Sequence, residues 1–191
     1  LAPDILVSET GKLVGVSGPD GLASNAARPS SFVFSQWQTA LRGVTHVPPV
    51  QVRGARPDQT ADPAAKPNAD SLDRLLRSAE LQTSRFHCAS RGVCAAVHAG
   101  VRIVAIDQAA LIGAACDRAD LVVISIPVYL DECRSGATLV TARTLRRTGS
   151  LAITVQEGRD SLVDQRSQPG SRAGDSTGAH FRIDAAVQGV I

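Results

Sequence analysis

Between Phe86 and Ile126 the chain alternates short apolar runs with tight turns, and no other stretch restricts its fold as much. Phe86 to Cys88, Val93 to Val97 and Val101 to Ile106 are too short for helices. Ser90-Arg91-Gly92 and Gly100 separate them, which predicts three strands joined as a meander. Asp107 is placed to cap a helix through Ala109, Leu111, Ile112 and Ala115. Beyond Asp120, the run Leu121 to Ile126 is apolar at every position but Ser125, the pattern of a strand covered on both faces. Strand, helix and buried strand in succession make a βαβ unit, so part of the sheet is parallel.

The flanking segments extend this into an α/β domain of mixed β-sheets and short helices. Ile5 to Val7, Leu13 to Val16 and Leu22 to Ser24, separated by turns at Glu9-Thr10-Gly11 and Gly18-Pro19-Asp20-Gly21, predict a second meander. Ser35 is the expected cap of a short helix ending at Gly43, with Phe32, Phe34 and Trp37 as core anchors. Residues 44 to 69, with five prolines, predict a flexible Pro-rich loop. Ser71 then caps a helix whose Leu72, Leu75, Leu76 and Ala79 share one face. Leu139-Val140 leads to a helix from Ala142 to Arg147, capped by Thr141 and stopped by Gly149, and Leu151 to Val155 is the last strand. Residues 1 to 158 thus make one domain, and 159 to 191, rich in Gln, Ser, Arg, Gly and Asp, make a poorly ordered tail.

With 191 residues there is length for one buried core but not for a large enzyme. The longest apolar stretch, Val93 to Cys116, is broken by His98, Arg102, Asp107 and Gln108, short of the ~18 apolar residues of a spanning helix. The start, Leu1-Ala2-Pro3-Asp4, has neither the basic nor the apolar part of a secretion signal, and the chain reads as a piece of something longer. A formal charge of +2 is too small to identify a polyanion binder by itself. Four cysteines, Cys88, Cys94, Cys116 and Cys133, allow two disulfides in three connectivities, or four small buried thiols, and composition does not choose.

Reactive constellations are sparse. His87, Cys88, Cys94 and His98 offer zinc-ligand types on adjacent strands, but five residues separate the cysteines where zinc hairpins use two to four. Cys116 lies at a helix C-terminus, where the dipole opposes thiolate formation. Gly15-Val16-Ser17-Gly18 is half a nucleophile elbow, with Pro19 in place of the second glycine. Arg143, Arg146 and Arg147, with Arg134 nearby in sequence, form the only compact basic cluster. They are candidates for DNA phosphate contact, although arginines in the last turn of a helix are also favoured by its dipole. No aromatic platform is evident beside them.

Taken in order, Pro3 to Ser8, Phe34-Ser35-Gln36-Trp37, Cys88 to Cys94, Cys116-Asp117-Arg118-Ala119-Asp120-Leu121-Val122-Val123, Cys133, and Leu145 to Ile153 resemble the C-terminal region of alphaproteobacterial ComEC family proteins, inner-membrane channels that import transforming DNA. The resemblance spans about Leu1 to Gly158, and the tail departs from the aromatic, Pro-rich basic ending expected of the family. It implies a periplasmic domain that follows a membrane channel domain, its partner within the parent protein, with DNA as a further partner and no small-molecule substrate. In many relatives this region is a metallo-β-lactamase-like domain regarded as a nuclease for the non-transported strand. That chemistry needs a His-x-His-x-Asp-His cluster holding two metals. Here His46, His87, His98 and His180 stand singly, Asn25 occupies the place of a carboxylate, and Pro127-Val128-Tyr129-Leu130 stands where relatives carry a His-His pair. The expectation is a degenerate metallo-β-lactamase-like domain without metal site, catalytic residues or cofactor, accessory to DNA uptake; the alternative is a divergent metal-dependent nuclease.

Periplasmic exposure, as the resemblance implies it, favours disulfides over thiols. Cys88 and Cys94 flank a turn between adjacent strands and are expected to pair, leaving Cys116 to pair with Cys133 across a longer loop.

Overall fold

The computed structural model describes residues 2–53, 66–90 and 92–156 and the backbone of 181–185. Its strands assemble into two mixed six-stranded sheets. The first holds β1 (Ile5–Val7), β2 (Val14–Gly18), β3 (Gly21–Ser24) and β4 (His46–Val47), continued past β1 by β11 (Leu151–Val155) and β12 (Phe181–Ala185). The second runs β10-β9-β8-β7-β6-β5, with β5 (Val50–Gln51), β6 (His87–Ser90), β7 (Val93–His98), β8 (Val101–Ile106), β9 (Leu121–Ile124) and β10 (Thr138–Thr141). In the second sheet β5 is parallel to β6, β8 to β9 and β9 to β10, while β7 is antiparallel to both neighbours. All its strands except β7 therefore point the same way.

Side-chain alternation along these strands builds three apolar layers. Ile5, Val7, Val14, Val16, Leu151 and Ile153 of the first sheet face Phe86, Ala96, Ile103, Leu121, Val123 and Val140 of the second, and all are buried. The alternate residues Val93, Ala95, Val104, Ile106, Val122 and Ile124 point to the opposite face of the second sheet. They meet Leu72, Leu75 and Leu76 of α2 (Ala69–Leu81) and Ala115 and Cys116 of α3 (Ile112–Cys116). On the outer face of the first sheet, Leu6 and Leu22 are covered by Phe34 and Trp37 of α1 (Ser31–Ala40). Gly15 is what lets the indole approach, since a Cβ there would lie 3.1 Å from Trp37 Cζ3. The layers run helix, sheet, sheet, helix, and α4 (Ala142–Thr148) seals one end by burying Leu145 between the sheets.

Several local expectations shift for identifiable reasons. Helix α1 starts at Ser31 after Ser30, four residues ahead of Ser35, and Phe32 falls on its outer side, 71% exposed. Asn68 caps α2, its Oδ1 accepting from the Ser71 amide at 3.1 Å, while Ser71 Oγ accepts from the Asn68 amide. Ser71 is thus the third residue of a reciprocal capping box. Asp107 caps nothing. A 3-10 turn over Ala109–Leu111 follows Gln108, and the Asp107 carboxylate lies over Gly92, where a Cβ would collide with it. Gly92, at φ 85°, is required twice, for its left-handed turn and for that contact. The proline-rich stretch contains β4 and β5, which pair with one sheet each; residues 54 to 65 lie outside the described residues. Most of the 159 to 191 tail is also outside them, but β12 forms an edge strand on β11.

Both expected disulfides are present. Cys88 and Cys94 are directly opposed on β6 and β7, with Cα atoms 4.0 Å apart. Cys116 and Cys133, 5.5 Å apart, fasten the end of α3 to the loop between β9 and β10, where Ser135 Oγ also donates to the Cys116 carbonyl. A bidentate pair between Arg118 and Asp73, at 2.8 and 3.3 Å, ties the same corner to α2. Chain entropy makes the wider loop the stronger constraint. Replacing Cys116 and Cys133 together by Ala is expected to remove about 3 kcal/mol of stability and Cys88 with Cys94 about 2 kcal/mol, measured by urea denaturation of oxidised protein. The reverse order would show that native-state contacts outweigh loop entropy.

Candidate functional site

Because five strands of the second sheet run in one direction, their carboxyl ends open at a single edge, where open α/β sheets bind ligands. A cleft of about 870 Å³ lies there. Gln51 follows from β5, Cys88 and Ser90 from β6, Asp107 from β8, and Ser125 and Ile126 from β9. The first sheet supplies Lys12 before β2 and Asn25, Ala26 and Arg28 after β3. Lys12 and Arg28 are exposed cations, and Asp107 is the only carboxylate among the described lining residues.

Asn25 joins the two sheets at this point. Its Oδ1 accepts from the Val14 amide at 2.9 Å and its Nδ2 donates to the Lys12 carbonyl at 3.1 Å. Its own carbonyl oxygen lies 3.5 Å from Cys94 Sγ and 3.8 Å from Cys88 Sγ. Bonded sulfurs carry no hydrogen, so this is a van der Waals contact across the sheets. An amide is the side chain that suits the position: a carboxylate would accept from Val14 equally well but would turn its second oxygen against the Lys12 carbonyl.

A second, smaller recess of about 320 Å³ adjoins the end of β10 and is lined by Asp131, Thr141, Arg143, Thr144, Arg147 and Thr148. Of the four arginines singled out from sequence, it brings together Arg143 and Arg147; Arg146 and Arg134 are exposed but do not line it. Arg143 Nη1 is 3.2 Å from Asp131 Oδ1, a pair largely exposed to water.

The described histidines are engaged elsewhere. His46 Nε2 lies 2.9 Å from Ser24 Oγ, and its ring meets Phe34 edge-on. His87 is buried on the helix side of its sheet, Nδ1 2.8 Å from Ser78 Oγ and Nε2 donating to the Gln82 carbonyl at 3.3 Å. His98 closes the far end of β7, between Ser84 Oγ at 2.9 Å and Asp4 Oδ1 at 3.4 Å. The His87, Cys88, Cys94, His98 set therefore does not converge, because period-two alternation turns His87 away from Cys88. Among the described residues no three His, Cys, Asp or Glu side chains are grouped to hold a metal ion. His180 lies outside them. The feature that sequence reading missed is Tyr129, fully exposed in the loop after β9; its position after Pro127 was the available signal.

No protein-family model, curated protein or solved structure matches the chain.

Two outcomes are expected. Asn25→Asp should cost about 1–2 kcal/mol in urea denaturation by leaving the Lys12 carbonyl facing a carboxylate. Burial pushes the imidazoles of His46 and His87 below their ordinary value of 6.5. The unfolded chain then binds more protons than the folded one as pH drops through that value, so stability falls on acidification and is fully present above it. Thermal melting across that window should show this slope, and His87→Gln, though less stable overall, should flatten it.

Proposed function

We propose that the chain is a non-catalytic accessory domain of a ComEC-type DNA-uptake protein, on the periplasmic side of the inner membrane beside the parent's channel domain, where it organises the channel or contacts incoming DNA. The resemblance of the segments from Pro3 to Ile153 supports the family. Two packed sheets with helices outside are the layering of a metallo-β-lactamase-like domain. Disulfides suit an oxidising compartment. No helix among the described residues is long and apolar enough to cross a membrane.

The observation that carries the non-catalytic reading is the chemistry of the cleft. A domain of that type holds its metals at the strand ends, and a hydrolytic two-metal centre needs several imidazoles and carboxylates there. Among the described residues the lining offers Asp107 alone, with Asn25 bonded to backbone on both sides, Cys88 in a disulfide, and Lys12 and Arg28 repelling a cation. The residues present do not fit the metals, and no hydrolytic step is derived through them. Two cations against one carboxylate suit a polyanion better.

Elemental analysis and a DNA-cleavage assay test the reading together. The oxidised chain should carry no stoichiometric zinc or manganese, leave labelled DNA intact with either metal added, and bind DNA more weakly as salt rises. Stoichiometric metal with chelator-sensitive cleavage would establish the divergent nuclease instead. Absence of binding at every salt concentration would leave only a scaffold role.

A further inference from the structure

We propose that the strand-end edge of the sandwich is a binding surface for single-stranded nucleic acid, with Tyr129 as a stacking platform between two cationic sites. The inference rests on the DNA-contacting reading and adds the form of the ligand and its place.

The juxtaposition follows from the chain path. Ser125 and Ile126 line the cleft, and Asp131 lines the recess beside α4, so residues 127 to 130 pass from the rim of one to the rim of the other. That segment carries the chain's sole tyrosine, fully exposed, followed by the partly exposed Leu130. The segment is held at both ends: β9 precedes it, and the buried Cys133, bonded to Cys116, follows. Lys12 and Arg28 stand on the cleft side and Arg143 and Arg147 on the recess side.

Each group matches one part of a single strand. Guanidinium and ammonium groups take backbone phosphates. The Arg143 pair with Asp131 is exposed on both sides, so it contributes little and yields readily to a phosphate. Unpaired bases present π-faces, which stack on an accessible aromatic side chain irrespective of sequence. In a duplex those faces are already stacked on one another, and Tyr129 has nothing to add. The surface therefore discriminates by strand state rather than by base.

Anisotropy titrations of the full oxidised chain with labelled oligothymidine and with a duplex of the same length decide it. Single strand should bind more tightly than duplex. Tyr129→Ala should weaken single-strand binding roughly tenfold and leave duplex binding unchanged, while Tyr129→Phe retains the wild-type affinity. Arg147→Gln should reduce the slope of log affinity against log salt by about 0.7, the share of one phosphate contact on a single strand. Tyr129 and Arg147 are both exposed, so thermal melting of these variants should match wild type. If wild type binds single strands and Tyr129→Ala binds them equally well, this surface is wrong while the DNA reading stands. If wild type binds neither form even at low salt, the DNA reading fails and takes this inference with it.

Discussion

The second sheet is buried on both faces, and most of the molecule is arranged around that fact. Cys94, Ala96, Ile103, Ala105, Leu121 and Val123 lie against the first sheet, while Val93, Ala95, Val104, Ile106, Val122 and Ile124 lie under α2 and α3. A strand with two apolar faces has no tolerable exposed orientation, so it demands a layer on each side. One layer is the first sheet, whose own outer face then needs α1. The other is the helical pair, stapled by Cys116 to Cys133 and by Arg118 to Asp73. At about 25 cal/mol per Å² of apolar area removed from water, these layers are the main favourable term in folding, and the two disulfides add to it by restricting the unfolded chain.

The same arrangement places the polar chemistry. Strands covered on both faces leave only their ends for function, and here five ends converge. At that edge the first sheet contributes Asn25, whose amide closes the gap between β2 and β3 and whose carbonyl rests on the Cys88 to Cys94 bridge. Both ends of the Asn25 amide are thus used for structure. At the opposite end His98 and Asp4 make the corresponding closure, Asp4 Oδ2 also accepting from the Val155 amide at 2.7 Å. Two histidines whose pKa burial lowers, His46 and His87, belong to the scaffold in the same way.

Tyr129 shows how far a basic cluster can be misjudged from sequence spacing. Fourteen positions separate it from Arg143, and nothing in that interval suggests proximity. The parallel crossover from β9 to β10, with Asp131 paired to Arg143, brings the loop beside α4. Arg134, close to the cluster in sequence, is left outside the recess.

Period-two alternation from Phe86 to Val97, the apolar run at Leu121, the 3.6-residue stripe on α2 and the cap at Thr141 were determined by sequence alone. Each depends on groups a few residues apart and on solvent exclusion, which any compact fold must satisfy. The cap at Asn68 rather than Ser71, the start of α1 ahead of Ser35 and the exposure of Phe32 were not, because competing polar residues near a helix start differ by small energies that packing overrides. Four histidines and four cysteines in a list left both a metal site and two bridges open. Only the tertiary structure decided between them, since whether two side chains meet depends on strand register and on which face each occupies, and Cys88 faces Cys94 while His87 turns to Ser78.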